Sequence, residues 1–326
     1  MKLAFVGDVM LGRLVNEVLK REGPAHPWGD TLPLFQAADV RICNLECVIS
    51  NIGQPWSMTP KVFHFRTDEK NVDVLKVAGI DLASIANNHV LDYEYEALLR
   101  MLRVLHEKGI AFAGAGEHVA AASAPAVYRA ADATIGFIAC TDNEPAWAAT
   151  NDRPGIQYVP IDLHDSRAKQ LLARVARARQ DVDISIVSIH WGPNWGYRPP
   201  AKHLLFARAL IDAGADVVYG HSCHVFQGIE FYRGKPILYS TGDFVDDYAV
   251  DEVERNDQAF FCMIETEGRN ITGLKIYPTV VRNMQARRAR GADLEQIVGK
   301  MRQLCDELDT ATAWRESEGC LAIPVG

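Results

Sequence analysis

Short apolar runs alternate with segments of helical periodicity along the first 220 residues, and this alternation constrains the fold more than any other feature of the sequence. Buried strands that alternate with helices are typical of an α/β protein. The predicted strands are residues 3–6, 39–44, 81–87, 133–140, 184–190 and 216–220. The predicted helices are residues 14–21, 71–78, 94–107, 166–179 and 203–213.

After residue 220 the pattern changes to strands joined by short turns, such as Arg233-Gly234, which predicts an antiparallel part of the sheet. C-terminal strands and a helix are predicted within residues 257–310, the helix over residues 293–308, and residues 311–326 are interpreted as a tail. No Ser/Gly linker, internal repeat or low-complexity run divides the sequence, so a single domain over residues 1–326 is predicted.

Charge and hydropathy exclude several classes of function. The chain has 34 Lys and Arg against 42 Asp and Glu, a net charge of −8, which argues against nucleic-acid binding. Its apolar runs are too short for a membrane span or a signal peptide. Seven widely spread cysteines predict reduced thiols rather than a disulfide scaffold. We therefore expect a cytoplasmic protein with no membrane partner, whose oligomeric state the sequence leaves open.

Polar side chains occur where the predicted strands end, which is the edge at which open α/β sheets bind ligands. Asp and Asn are also ordinary turn residues and a lone His is usually structural, but so many at strand ends favour a metal site. Their oxygen and nitrogen donors suit one or two divalent ions, with Mn, Fe, Co, Zn, Ni and Mg not distinguished. The residues are Asp8, Glu46, Asn88, His89, His190, His221 and His224.

Seven motifs follow one another in an order that resembles the CapA family of capsule and poly-gamma-glutamate synthesis, over residues 2 to 248. They are GDVMLG, NLE, PKVFHFR, IANNHVLDY, HWG, GHSCHVFQGIE and YSTGDFVDD. That family is similar to calcineurin-like metallophosphatases. The resemblance therefore implies a calcineurin-like metallo-dependent phosphatase fold, an α/β class built as a four-layer α/β/β/α sandwich.

The resemblance also implies roles for individual residues. It makes Glu46 the candidate bridge between two metal ions, and His89 an acid/base or supporting group, with Asp92 of the same motif a further catalytic candidate. The implied metal ligands are Asp8, Glu46, Asn88, His190, His221 and His224.

Four departures from the family's patterns occur, and they involve five residues. Met10 stands where the phosphatase pattern has a His ligand, so that ligand is missing or supplied elsewhere. Ser222-Cys223 replaces His-Pro, Asn194 replaces Glu, and Asp243 stands where Asn is common. The last three departures alter which protons can be moved while the implied ligands stay, which favours a reaction that has drifted from the family's usual role.

The preferred hypothesis is a metal-dependent isomerase, a peptide epimerase that inverts the Cα centre of a C-terminal aromatic residue in a ribosomal peptide substrate. Lasso-peptide epimerases that resemble this family suggest it. A divalent ion would stabilise the enolate-like charge formed when the Cα proton leaves. His89 and Cys223 are the acid/base candidates, since a thiol near a metal or imidazolium can have a lowered pKa, whereas a packed thiol is the alternative for Cys223.

Aromatic and cationic loop residues are the candidates for substrate binding. Trp191, Trp195 and Tyr197 follow His190 and could hold an apolar side chain, while Arg198, and Lys61 or Arg66, could pair with a carboxylate or phosphate. The alternative functions are phosphate-ester hydrolysis by a metallohydrolase, and capsule or poly-gamma-glutamate synthesis through ligation or hydrolysis of the polymer, or through binding alone. The carboxylates Asp246, Asp247, Asp251 and Glu252 are interpreted as a solvated loop.

Overall fold

A computed structural model describes residues 1–325 as a mixed α/β structure with twenty strands and eight α-helices. The strands are β1 (Lys2–Val9), β2 (Val40–Leu45), β3 (Val48–Ile49), β4 (Arg66–Thr67), β5 (Leu82–Ser84), β6 (Ala111–Ala113), β7 (Ala115–Gly116), β8 (Ala126–Arg129), β9 (Thr134–Thr141), β10 (Gly155–Ile156), β11 (Ile184–His190), β12 (Val217–His221), β13 (Ile229–Tyr232), β14 (Lys235–Leu238), β15 (Asp243–Val245), β16 (Gln258–Glu267), β17 (Asn270–Arg282), β18 (Gln285–Arg288), β19 (Ala313–Arg315) and β20 (Cys320–Ile323). The helices are α1 (Arg13–Leu19), α2 (Leu32–Gln36), α3 (Val72–Ala78), α4 (Glu94–Glu107), α5 (Val119–Ser123), α6 (Ser166–Asp181), α7 (Ala201–Asp212) and α8 (Gly291–Asp306).

Two large sheets carry most of the strands. The first has ten strands in the order β19-β20-β17-β16-β1-β2-β5-β6, with β15 also paired to β1 and β18 to β17. The second has six strands in the order β13-β14-β12-β11-β9-β8. In the first sheet β1 runs parallel to β2 and β15, and in the second β11 runs parallel to β9 and β12. The carboxyl ends of these central strands therefore point the same way within each sheet.

The two sheets share one hydrophobic core. Leu3 and Phe5 of β1 lie in the same buried cluster as Ile186 of β11 and Tyr219 of β12. Because side chains alternate along a strand, the residues between them face the opposite way. Helix α8 also contributes to the shared core through Ile297.

Helices cover the other face of each sheet. Ala4 and Val6 of β1 lie in a cluster with Leu98 of α4. Val187 of β11 lies in a third cluster with Phe206 of α7. The central strands are therefore buried on both faces, which explains why they read as continuous apolar runs rather than as alternating ones.

The structure confirms the coarse prediction of a mixed α/β fold. The predicted helix over residues 94–107 is α4, and the predicted strand over residues 184–190 is β11. The predicted strand over residues 81–87 is shorter, since only Leu82–Ser84 pair with neighbours and the following residues turn. Residues interpreted as a tail include β19 and β20, which extend the first sheet because β20 pairs with the distant strand β17.

None of the helices within residues 1–325 is both long and apolar enough to cross a membrane. All seven cysteines are buried and unpaired.

Candidate metal centre

Strand register brings the first candidate ligands together. Asp8, near the end of β1, lies opposite Asn44 on β2 and Asp243 on β15. His190 and His221 end β11 and β12 and lie opposite each other in the second sheet. The neighbouring parallel strands thus deliver their polar ends to one buried place, as the sequence predicts.

Asp8, His190 and His221 form the first group that could hold a metal ion, with one ligand atom of each lying within 4.8 Å of the others. The His190 and His221 Nδ1 atoms are 2.9 Å apart. The Ser188 hydroxyl lies 2.8 Å from His221 Nε2, so it fixes the orientation of that ring. Burial lowers the pKa of His221 to about 3, which keeps the imidazole neutral and able to coordinate.

Asp8, His224 and Asp243 form a second such group, again within 4.8 Å. His224 Nδ1 lies 3.0 Å from Asp243 Oδ1, and the Asp243 carboxylate raises the pKa of His224 to about 9 against the opposing effect of burial. Asp243 was not among the ligands predicted from the sequence. Its signals were its position directly after the YSTG segment, in a motif already assigned to the site, and its departure from the Asn that is common there.

Met10 follows Asp8 by two residues in the sequence, and its side chain has no oxygen or nitrogen atom to offer as a ligand. Its side chain is buried, and its sulfur accepts a hydrogen bond from the Gly12 N–H at 3.0 Å. The carboxylate of Asp243 completes a three-residue group without it. The departure at Met10 is therefore compatible with two ion positions, provided that the ligand is supplied from β15.

Buried oxygens without partners show that these residues fit a cation. Asp8 Oδ2, Glu46 Oε2, Asn88 Oδ1 and Asp243 Oδ2 are buried and have no hydrogen-bond partner within residues 1–325. Buried polar atoms are nearly always paired in folded proteins. Burial and the nearby Asp243 raise the pKa of Asp8 to about 7, and burial and Asp8 raise that of Glu46 well above its usual range. A divalent ion would satisfy these oxygens and compensate their charge.

Glu46 and Asn88 lie beside the two groups rather than within them. Glu46 Oε1 is 3.9 Å from His190 Nε2 and 4.0 Å from His89 Nε2. The backbone oxygen of Asn88 accepts a hydrogen bond of 2.6 Å from Lys61, which anchors the turn. The residue common to both groups is Asp8, so the geometry favours Asp8 over Glu46 as the residue between two ions.

His89 and Asp92 form a hydrogen-bonded pair at the edge of the site, with His89 Nδ1 2.6 Å from Asp92 Oδ2. Phe65 stacks on the imidazole at a centroid distance of 3.9 Å, and its backbone N–H donates to the same Asp92 oxygen. Burial lowers the pKa of His89 well below its usual value and raises that of Asp92 to about 7. The ring is therefore held in one orientation and kept neutral.

Cys223 is buried next to the site without the environment that activates a thiol. Its Sγ lies 3.1 Å from the backbone oxygen of Gly196, to which the thiol donates. Burial raises the pKa of Cys223 to about 12, the opposite of the lowered value that the sequence analysis expected. Cys223 as a catalytic residue stays a prediction, and the packed-thiol alternative has the better structural support.

A cavity of about 560 Å³ opens beside the candidate ligands. Asn88, His89 and His224 line it, and so does Trp195, which has 44% of its surface exposed. Several lining residues were not predicted from the sequence, because nothing local distinguishes them from packing or surface side chains. Those missed residues are Arg13, Phe63, Phe65, Glu144, Tyr248 and Asn256.

Of the six residues considered for substrate binding, Trp195 and Lys61 line this cavity. Trp191 is buried, donates from Nε1 to the Tyr239 carbonyl at 2.9 Å and stacks on His203. Tyr197 donates its hydroxyl hydrogen to the Glu254 carbonyl.

The two arginines in that set are also engaged elsewhere. Arg198 makes two 2.7 Å hydrogen bonds to Glu307, and Arg66 donates to the Gly53 carbonyl over the ring of Tyr93. The structure therefore brings neither the buried indole nor these two cations to the cavity.

The acidic loop after β15 is only partly solvated. Asp251 and Glu252 are exposed, as expected. The interpretation is wrong for Asp246, which is buried, and for Asp247, whose side chain is 1% exposed. The Asp247 side chain is covered because it contacts Arg13 and accepts a hydrogen bond from the Leu14 N–H.

Comparison with known proteins gives one family and several relatives. The sequence profile described as "Bacterial capsule synthesis protein PGA_cap" matches residues 2–248. The chain is 33% identical over 332 residues to a "Probable polyglutamine synthesis accessory protein" of Mycobacterium tuberculosis, covering 89% of this chain and 87% of the relative.

Two further relatives come from Bacillus. The chain is 31% identical to the "PGA biosynthesis protein CapA" of Bacillus subtilis and 30% identical to the "Capsule biosynthesis protein CapA" of Bacillus anthracis. Each alignment covers 75% of this chain, but only 63% and 59% of the two relatives.

Proposed function

This chain belongs to the PGA_cap family of bacterial capsule synthesis proteins, and from that premise we propose that it is a metal-dependent enzyme that cleaves or transfers an amide bond of a polyglutamate-type capsule polymer. The observation that carries the proposal is the buried, unpartnered set of ligand oxygens beside a cavity. The names of the relatives favour this capsule alternative over the peptide epimerase that the sequence analysis preferred.

The two candidate groups would hold the metal. Asp8, His190 and His221 would hold one ion, and Asp8, His224 and Asp243 a second. A divalent ion bound there would supply a Lewis acid for the carbonyl oxygen of the scissile amide.

The His89–Asp92 pair would move the proton. Nδ1 lies against Asp92 and would donate to it, which leaves His89 Nε2 as the atom that would take a proton from the attacking nucleophile. The same atom would then return that proton to the leaving amine nitrogen. Phe65 keeps the ring in place by stacking on it and excludes water from one of its faces.

Metal content and polymer cleavage, measured on the same preparations, test the proposal. Elemental mass spectrometry of the purified protein should find a divalent metal. Incubation with a γ-linked glutamate oligomer should give shorter chains by mass spectrometry, and a chelator should abolish the cleavage.

A matched pair of histidine variants locates the activity. His221→Ala should lose metal and turnover, whereas His203→Gln, at a buried histidine stacked on Trp191 outside the site, should keep both. Cleavage that survives chelation in the wild-type protein would refute the metal dependence.

Two further assays distinguish the remaining alternatives. A peptide that gains one mass unit in D2O without being shortened would support the epimerase. Release of inorganic phosphate from an aryl phosphate in the presence of added Mn would support the phosphoesterase.

We also infer that the layers form the α/β/β/α sandwich of calcineurin-like metallophosphatases in a single domain. The shared core between the two sheets and the helices on their outer faces support this arrangement. A single cooperative unfolding transition by calorimetry would support one domain, and two separate transitions would contradict it. The cytoplasmic location stays a prediction.

A further inference from the structure

Arg13 occupies an unusual backbone conformation at the wall of the cavity. It is the first residue of α1, and its φ of 50° lies in the left-handed region that L-residues with a side chain rarely adopt. Such strain persists only where the surrounding structure holds the residue in place, and it tends to occur at functional sites. The side chain of Arg13 is 39% exposed and lines the cavity beside His89 and His224.

The contacts of Arg13 fix its guanidinium without using up its donors. Nε lies 3.3 Å from Asp247 Oδ2, the oxygen that also accepts from the Leu14 N–H at 2.8 Å. The guanidinium carbon lies 5.9 Å from the centre of the Phe63 ring and 5.6 Å from that of Phe65. Within residues 1–325, however, no guanidinium N–H of Arg13 donates a hydrogen bond of standard geometry.

Other arginines of the same chain show the difference. Arg100 and Arg198 each place two nitrogens 2.7–2.9 Å from one carboxylate, so their planar donor forks are occupied. A guanidinium that is held in place while its terminal N–H donors remain free is suited to bidentate binding of a planar anion.

The other cations of the cavity are more fully engaged than Arg13, which contacts one carboxylate, that of Asp247, through Nε. Lys61 Nζ lies 3.3 Å from Asp92 and 3.5 Å from Glu144, and His224 is paired with Asp243. The chain as a whole has a net charge of −8, so Arg13 is not part of a generally basic protein. It is the cavity cation that is best placed to compensate the charge of a bound anion.

We propose that Arg13 binds a carboxylate of the substrate in this cavity and thereby selects an acidic chain over a neutral one. The identity of that chain as a glutamate polymer rests on the proposed function. The contact between Arg13 and an oxyanion does not rest on the proposed function, because the guanidinium geometry suits the oxygens of a carboxylate and of a phosphate alike.

Binding to metal-depleted protein tests the contact separately from catalysis. Calorimetric titration of the full chain in chelator would use a γ-linked glutamate oligomer, the same oligomer with its carboxylates amidated, and inorganic phosphate. The chelator removes any anion binding by metal. We expect the acidic oligomer to bind and the amidated one to bind at least tenfold more weakly, and Arg13→Gln to weaken the acidic oligomer by roughly ten- to a hundredfold.

Two further variants keep the test decisive. Arg13→Lys retains the charge and should bind with an intermediate affinity, and it provides the result if Arg13→Gln does not fold. Arg233→Gln is a matched control, because Arg233 also has a positive φ of 52°, an Asp212 oxygen at 3.0 Å and a Tyr232 ring at 5.4 Å, but it does not line the cavity. It should bind as the wild type does.

Equal binding of the acidic oligomer by wild type and both Arg13 variants would overturn the proposal. Arg13-dependent binding of phosphate without binding of the oligomer would overturn the carboxylate assignment. If the proposed reaction fails, metal-dependent cleavage is absent while the Arg13-dependent binding in chelator persists, so the two failures are distinguishable.

Discussion

Replacing Asp8 with Asn should stabilise the metal-free protein and abolish its stabilisation by metal. Asp8 is fully buried, and its Oδ1 accepts a hydrogen bond of 2.8 Å from Asn44 while Oδ2 has no partner within residues 1–325. Asn keeps the shape and one acceptor oxygen but removes the ionisable group. Replacement of an uncompensated buried charge by a neutral group is stabilising, whereas loss of a ligand shared by both candidate groups prevents coordination.

The magnitude follows from the pKa of Asp8, which burial and the Asp243 carboxylate raise from 3.8 to about 7. The folded state therefore holds its proton more tightly than the unfolded state does. Stability due to this group is fully present below pH 4, falls as the pH rises, and is lost above pH 7. At pH 8 the stability lost through ionisation of Asp8 is on the order of 4 kcal/mol. The Asn amide is incompletely hydrogen-bonded, which costs about 1–3 kcal/mol. The variant is therefore more stable than the wild type by roughly 2 kcal/mol.

Urea denaturation in chelator at pH 5 and pH 8 measures the effect. At pH 8 the Asp8→Asn variant should have the higher free energy of unfolding, and at pH 5 the difference should shrink. Added Mn or Zn should stabilise the wild type by about 2.7 kcal/mol at a hundredfold excess over Kd, and should leave the variant unchanged.

Asp216→Asn provides the control for removing a buried carboxylate that is compensated. Asp216 is 2% exposed, with Lys235 at 2.7 Å and the Ser185 N–H donating to it at 2.9 Å. This variant should be destabilised at both pH values and should respond to metal as the wild type does. The reasoning is refuted if Asp8→Asn is destabilised to the same extent at both pH values and still binds metal.

Three further variants test separate parts of the site. Asp243→Ala should lower the metal content by about one equivalent in elemental analysis while His190 and His221 retain the other ion; unchanged stoichiometry would exclude the second group. His89→Gln should lower turnover by about 100-fold or more, because it removes the group that transfers the proton. Its metal content should be unchanged, since His89 is not assigned as a ligand, and loss of metal would contradict this assignment. Cys223 should react with iodoacetamide at pH 8 far more slowly than a free thiol, since its pKa is raised to about 12, and Cys223→Ala should keep its turnover.

Much of the site could be predicted because its signals are local. Apolar runs followed by a polar residue mark strand ends, so Asp8, His190 and His221 were identifiable before any strand was paired. The carboxyl ends of adjacent parallel strands then meet at one edge, as a property of parallel sheets in general. The mixed α/β class depends on the same local periodicity, which explains why the coarse fold was predictable.

The direction of individual side chains was not predictable in the same way. Trp191 and Trp195 stand in one loop, yet the first stacks on His203 and the second lines the cavity. Both are aromatic residues in a Gly- and Pro-rich segment, so composition does not separate them. What distinguishes them is the position of α7, because its His203 stacks on the ring of Trp191.

The sequence by itself determined the kind of protein: alternating buried strands and helices, ligand-type residues at the strand ends, and the family motifs. Only the tertiary structure decided that Asp243 joins Asp8 and His224, since this depends on β15 pairing in parallel with β1 from more than two hundred residues away. It also decided that Arg13 faces a cavity and that Asp247 is buried beside it. The physical reason is that periodicity and turn chemistry act between neighbours in the chain, whereas strand register and burial depend on contacts between distant segments.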